Sequence, residues 1–136
     1  VLQYATDVLK VRHIIVCGHY ACGGLQATLA GGTSGAVDAW LQSARDVLHA
    51  HEDEVVGQPD DETRVNRLVE VNVRDQLIKL ARTQLIQAAW ARGRVVLRRG
   101  CVYDIRGGQM RPLLELDVTT PLDDVGRPDK VLHASS

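Results

Sequence analysis

No stretch of this sequence approaches the ~20 consecutive apolar residues a helix needs to span a bilayer, so no membrane span is expected. Nor does either sign of charge dominate. Sixteen Lys and Arg face seventeen Asp and Glu, a formal net charge of -1. That leaves no global field to draw in nucleic acid or an anionic membrane surface. Cysteine is sparse: the three present are an odd number, and their spacing is not that of a disulfide scaffold. The opening residues do not read as a secretory signal. A reducing, cytoplasmic setting is therefore expected, with cysteines available as thiolates. Internal repeats and low-complexity segments are missing as well. What is present is ordinary for a globular protein: 136 residues, 45% hydrophobic and 24% charged, enough for one domain with a real core.

Hydrophobic periodicity gives an α/β reading. Val1, Leu2, Ala5, Val8 and Leu9 recur at helical spacing, which predicts a helix over residues 1–10. No Ser, Thr, Asp or Asn caps its start, and the first residue is Val1 rather than methionine, so part of the natural protein is expected upstream. Residues 11–17 are β-branched and almost continuously apolar, the pattern of a buried parallel strand. Short helices are expected over 22–30 and 37–50, and a polar loop over 52–61. Helical spacing then runs from 62 to 91, with a break expected near Asn72, where β-branched residues crowd. Strand regions follow at 94–105 and 113–118, separated by the turn signal Gly107-Gly108. Strands alternating with long helical segments imply parallel pairing with crossovers. Residues 1–120 form the domain in this reading, and 121–136 a polar tail.

The chemistry concentrates at Cys17-Gly18-His19-Tyr20-Ala21-Cys22-Gly23-Gly24. A strand that ends in His-x-x-Cys and turns through glycines can aim an imidazole and a thiolate at one point, and zinc takes nitrogen and sulfur ligands of this kind. The end of a strand at the start of a helix is also where open α/β sheets place their sites. A helix beginning at Cys22 would favour an anionic sulfur. Gly23 and Gly24 could let backbone amides approach a small anion, or could simply permit the tight turn. The other candidates read as structural. Strand alternation points Cys17 away from the site or into the core, Cys101 is expected in the core, and Cys17 and Cys22 lack the Cys-x-x-Cys spacing of a redox pair. His49 and His51 read as solvated surface. His13 and His133 have no partner nearby in sequence. Asp60-Asp61-Glu62 reads as an acidic helix start that matches the dipole.

These residues carry a family resemblance. Gln3-Tyr4-Ala5, Asp7-Val8-Leu9, His13 through Tyr20 and Cys22-Gly23-Gly24 resemble the central segment of β-class carbonic anhydrases. Trp40-Leu41, Glu70-Val71-Asn72-Val73, Ala89-Trp90, Arg92-Gly93, the Gly100-to-Tyr103 segment and Leu116-Asp117-Val118 follow in matching order, to about Thr120. The resemblance implies an α/β fold with a mostly parallel sheet flanked by helices. It also implies a homodimer or higher homo-oligomer and a zinc enzyme that interconverts carbon dioxide and bicarbonate. His19 matches the family's histidine ligand and Cys22 its second cysteine, and the anion-approach reading of Gly23 and Gly24 would set them beside the substrate.

The departures are as informative. The family's first cysteine ligand lies in a Cys-x-Asp-x-Arg motif upstream of the helix with which this sequence begins. Neither that motif, nor the strand that carries it, nor the N-terminal helices that pack on a dimer partner are found here. An aromatic usual between the glycine and tyrosine of the 100–103 segment is replaced by Cys101-Val102. The expectation is a parent enzyme of this family and a 136-residue piece with two of three protein ligands and little hydration activity. The alternatives are an inactive binding module of the same fold and an interaction domain that pairs through an exposed sheet edge.

Overall fold

The computed structural model describes residues 1–94 and 97–125. The expected strand residues Val95 and Val96, and the tail from 126 onward with His133, lie outside the described residues. Among the described residues three strands form one sheet in the order β1-β2-β3: β1 His13–His19, β2 Leu97–Asp104 and β3 Gln109–Leu116. β1 pairs with β2 in parallel, with Cys17 opposite Cys101 and His19 opposite Tyr103. β2 and β3 form an antiparallel hairpin with a register shift at Gly100/Cys101. The α/β architecture is as expected, with one parallel ladder and one antiparallel ladder.

The helices are α1 Gly23–Ala30, α2 Gly35–Ala50, α3 Glu52–Val56, α4 Asp61–Arg82, α5 Gln84–Ala91 and α6 Leu122–Val125. The chain opens on a π-helical turn, Tyr4–Val8, where the sequence predicts a regular helix. Two further expectations are corrected. The segment 52–61 is not all loop, because Glu52–Val56 makes a helical turn. It is too short for a periodic signal. What holds it is fully buried Val55, together with Glu54, which accepts from both Arg74 guanidinium nitrogens at 2.8 and 3.2 Å. Helix α4 does not break near Asn72 either. Val69, Val71 and Val73 are all buried there, and that packing outweighs their modest helix propensity. The break comes at Thr83, whose backbone turns extended and whose hydroxyl accepts from the Ile86 N–H to cap α5.

Helix α4 is the spine of the molecule. It begins in a capping box: the Asp60 carboxylate accepts from the Thr63 N–H at 2.8 Å, and the Thr63 hydroxyl accepts from the Asp60 N–H at 3.3 Å. The bonds that the Asp60 carboxylate accepts from the Thr63 N–H and from the Thr63 hydroxyl hold it below its usual range. Val65, Val69, Val73, Leu77 and Ala81 follow at i+4 spacing, all buried. This ridge presses on β1 and β2 at two glycines. A Cβ at Gly18 would stand 2.8 Å from Val73 and 3.0 Å from Val69. A Cβ at Gly100 would stand 2.8 Å from Leu114 and 3.0 Å from Val73. Glycine at both positions is what lets helix and sheet close up.

Candidate metal centre

His19 is the last residue of β1, and Cys22 is the N-cap of α1. Both line one cleft of about 330 Å³ with Gly24, Leu25, Trp40, Leu41 and Asn72 among its walls. The turn between them is unusual. Ala21 takes a left-handed backbone, φ +55°, without being glycine. Three contacts hold it there. The Ala21 N–H donates to Asn66 Oδ1 at 3.0 Å, and the Tyr20 hydroxyl donates to Glu70 Oε1 at 2.7 Å. The Tyr20 N–H donates to the Tyr103 carbonyl at 3.0 Å. Asn66 and Glu70 lie one turn apart on α4, so a single helix face grips both residues that separate the two ligand candidates.

Electrostatics reinforce that grip. Glu70 is buried and pairs with Arg67 at 3.0 Å, so its charge is compensated. Burial first, and the hydrogen bond to Glu70 second, push the Tyr20 phenol well above its ordinary range, so it stays a donor.

The geometry also sets the imidazole. His19 Nδ1 lies 3.0 Å from the Tyr20 carbonyl oxygen. A carbonyl can only accept, so Nδ1 carries the proton and the Nε2 lone pair is left for a metal. Cys22 makes no side-chain capping bond, so its sulfur is not engaged by the helix it begins. Of the two glycines, Gly24 lines the cleft, its Cα turned toward the Trp40 ring, while Gly23 is exposed with open space around it.

One nitrogen and one sulfur suit zinc as far as they go. Among the described residues, no group of three His, Cys, Asp or Glu is placed to hold a metal. Cys17, expected away from the site or in the core, is instead exposed. Strand side chains alternate with period two, so residues 17 and 19 share a face, and Cys17 lines the same cleft as His19. Cys101 is buried as expected, and burial raises its thiol, with the neighbouring Cys17 adding to the shift. His51 is not a free surface group: its Nδ1 lies 3.4 Å from the buried Arg74 guanidinium. His49 is exposed, as the sequence suggests, and so is His13. Asn66 and Glu70 were not singled out from the sequence. The signal available was a polar pair, four residues apart, interrupting the buried stripe of a long helix.

The carbonic anhydrase family profile matches residues 1–110. A carbonic anhydrase of Emericella nidulans is 36% identical over 136 residues, covering 100% of this chain and 59% of that protein. A carbonic anhydrase of Pseudomonas aeruginosa is 35% identical over 118 residues, covering 82% of this chain and 51% of that protein. Among solved structures, the Coccomyxa β-carbonic anhydrase in complex with acetazolamide superposes with a TM-score of 0.81 at 32% identity, covering 92% of this chain and 56% of that one. A tetrameric β-carbonic anhydrase of Sordaria macrospora gives 0.77 at 34% identity, covering 85% and 59%. The chain thus spans about half the length of the curated relatives it matches.

Proposed function

This chain belongs to the β-class carbonic anhydrase family, and on that premise we propose that it carries the His–Cys half of a zinc centre that hydrates carbon dioxide to bicarbonate. The observation that carries the reading is the shared cleft. His19 offers a free Nε2, Cys22 an unengaged sulfur, and α4 holds the turn between them. Zinc bound there would supply a water acidic enough to yield hydroxide near neutral pH. The protein residues do the rest. The Tyr20 carbonyl fixes the His19 tautomer. Leu25, Leu41 and Trp40 give the cleft an apolar wall suited to an uncharged, linear substrate. Gly24 leaves room beside it.

Residues 1–120 act in this reading as one domain of a homo-oligomer, with the remaining ligand arriving along the free side of β1. Its three free cysteines support a reducing, cytoplasmic setting. A second reading, a module of the same fold without catalysis, is favoured by the lack of a third donor among the described residues.

Cobalt(II) substitution tests the site. The chain is expected to show a sulfur-to-cobalt absorption band that both His19→Ala and Cys22→Ser abolish, with zinc content falling in parallel. Stopped-flow hydration by the chain alone should be far below that of a relative of full length. Metal binding indifferent to both substitutions would sink the reading.

A further inference from the structure

Three sulfurs meet on the sheet face that α4 does not cover, and one of them, Cys17, also lines the His19–Cys22 cleft. Cys17 and Cys101 occupy the same register position on the parallel strands β1 and β2. Their backbones are therefore roughly 4.8 Å apart, and both side chains point to the same face. Met110 on β3 pairs with Tyr103, two residues along β2 from Cys101, so it shares that face too. Its thioether closes the cluster: Cys17 Sγ lies 3.5 Å from Met110 Sδ. Two sulfurs on one metal, each at ~2.3 Å, sit roughly 3.8–4.0 Å apart, so the observed spacing needs only a small adjustment. We propose that Cys17, Cys101 and Met110 form a three-sulfur site for a soft monovalent metal cation, copper(I) in chemical class.

The donor set selects the metal. Two thiolates and a thioether are soft ligands, the kind that favours copper(I) over zinc. Zinc would ask for a fourth donor, in practice His, Cys, Asp or Glu, and no group of three such residues is placed to hold a metal among the described residues. Access also agrees. Cys17 and Met110 are exposed while Cys101 lies beneath them, which gives an entry path from solvent to a buried anchor. Two thiolates and one monovalent cation leave a single negative charge. Burial and the neighbouring Cys17 raise the Cys101 thiol, Arg99 works against them, and the bound cation would supply the rest of the compensation. No bond beyond the metal–sulfur contacts is made, and no electron is transferred: two thiol protons leave as the cation binds.

The test uses the reduced chain with Cys22→Ser in place, which removes the zinc-ligand thiol and leaves Cys17, and copper(I) supplied as its bicinchoninate complex under nitrogen. One copper(I) per chain is expected to move to the protein, with X-ray absorption showing sulfur neighbours only. Adding Cys17→Ser should weaken uptake by about 100-fold, and Met110→Leu by about tenfold. Both positions are exposed, so folding is not at stake. The proposal is overturned if Cys17→Ser and Met110→Leu bind copper(I) as tightly as their parent, or if the parent takes up none. The zinc reading is untouched by either outcome, because its own test is the cobalt band of the chain with Cys22 intact.

Discussion

The two faces of the three-stranded sheet differ in kind. Toward α4, Gly18 and Gly100 have no side chain at all, and Val73 and Val69 fill the space within 3.0 Å of where a Cβ would stand. On the opposite face Ile15, Cys17, His19, Tyr103 and Met110 are all exposed. One face holds the fold together through close approach, and the other carries the groups able to bind something. Substitutions on the first should change stability, and substitutions on the second should change chemistry while leaving stability almost alone.

The sharpest test lies on the helix side. Arg74 is fully buried and its partner Glu54 nearly so. Arg74→Ala strands a buried carboxylate and should cost about 3–5 kcal/mol in urea unfolding. A loss under 1 kcal/mol would mean that α3 is not held by this pair. Next comes a matched comparison across the sheet. Gly18→Ala should destabilise by about 1–3 kcal/mol through overpacking against Val69 and Val73. Ile15→Ala, three residues earlier on the open face, should stay within ~0.5 kcal/mol. Equal costs at the two positions would break the division of the sheet into a structural and a chemical face.

The smallest effect is read against pH. The folded protein holds the Tyr20 proton more tightly than the unfolded chain, because burial and the Glu70 hydrogen bond raise its phenol. That stabilisation is complete below the unfolded phenol value of ~10 and is lost progressively as pH rises beyond it. Tyr20→Phe should therefore cost about 1 kcal/mol at pH 8, with the gap to the parent shrinking above pH ~10. A gap that stays constant into the alkaline range would show that Tyr20 is not the group being held protonated.

Much of this was legible in the sequence, and the failures have physical causes. The β-branched run before His19 marked β1, although its observed span lies two residues later than expected. The short helices and the Gly107-Gly108 turn were marked by spacing and glycine. The expected break in α4 at Asn72 does not occur because propensity carries no trace of the sheet that packs on Val69 and Val73. Helix α3 was missed because Glu54 owes its place to Arg74, twenty residues away, and a long-range ion pair leaves no periodic trace. His19 and Cys22 could be named as ligand candidates from spacing alone. The turn that aims them could not, since it depends on Asn66 and Glu70 reaching back from α4. Cys17 was misplaced by a parity error: two residues along a strand return to the same side.

A long helix that serves two masters cannot change its count. Asn66 and Glu70 grip the turn between His19 and Cys22, while Val73 and Leu77 lie on the sheet and Arg74 reaches α3. Each added residue turns a helix by about 100°. One inserted between Glu70 and Val73 would leave the upper half pointing a quarter-turn or more away from the turn it holds, with every original side chain still present. The spacing along α4 is thus a specification in its own right. Related chains should vary in length before Asp60 and stay locked in step from Asn66 to Leu77.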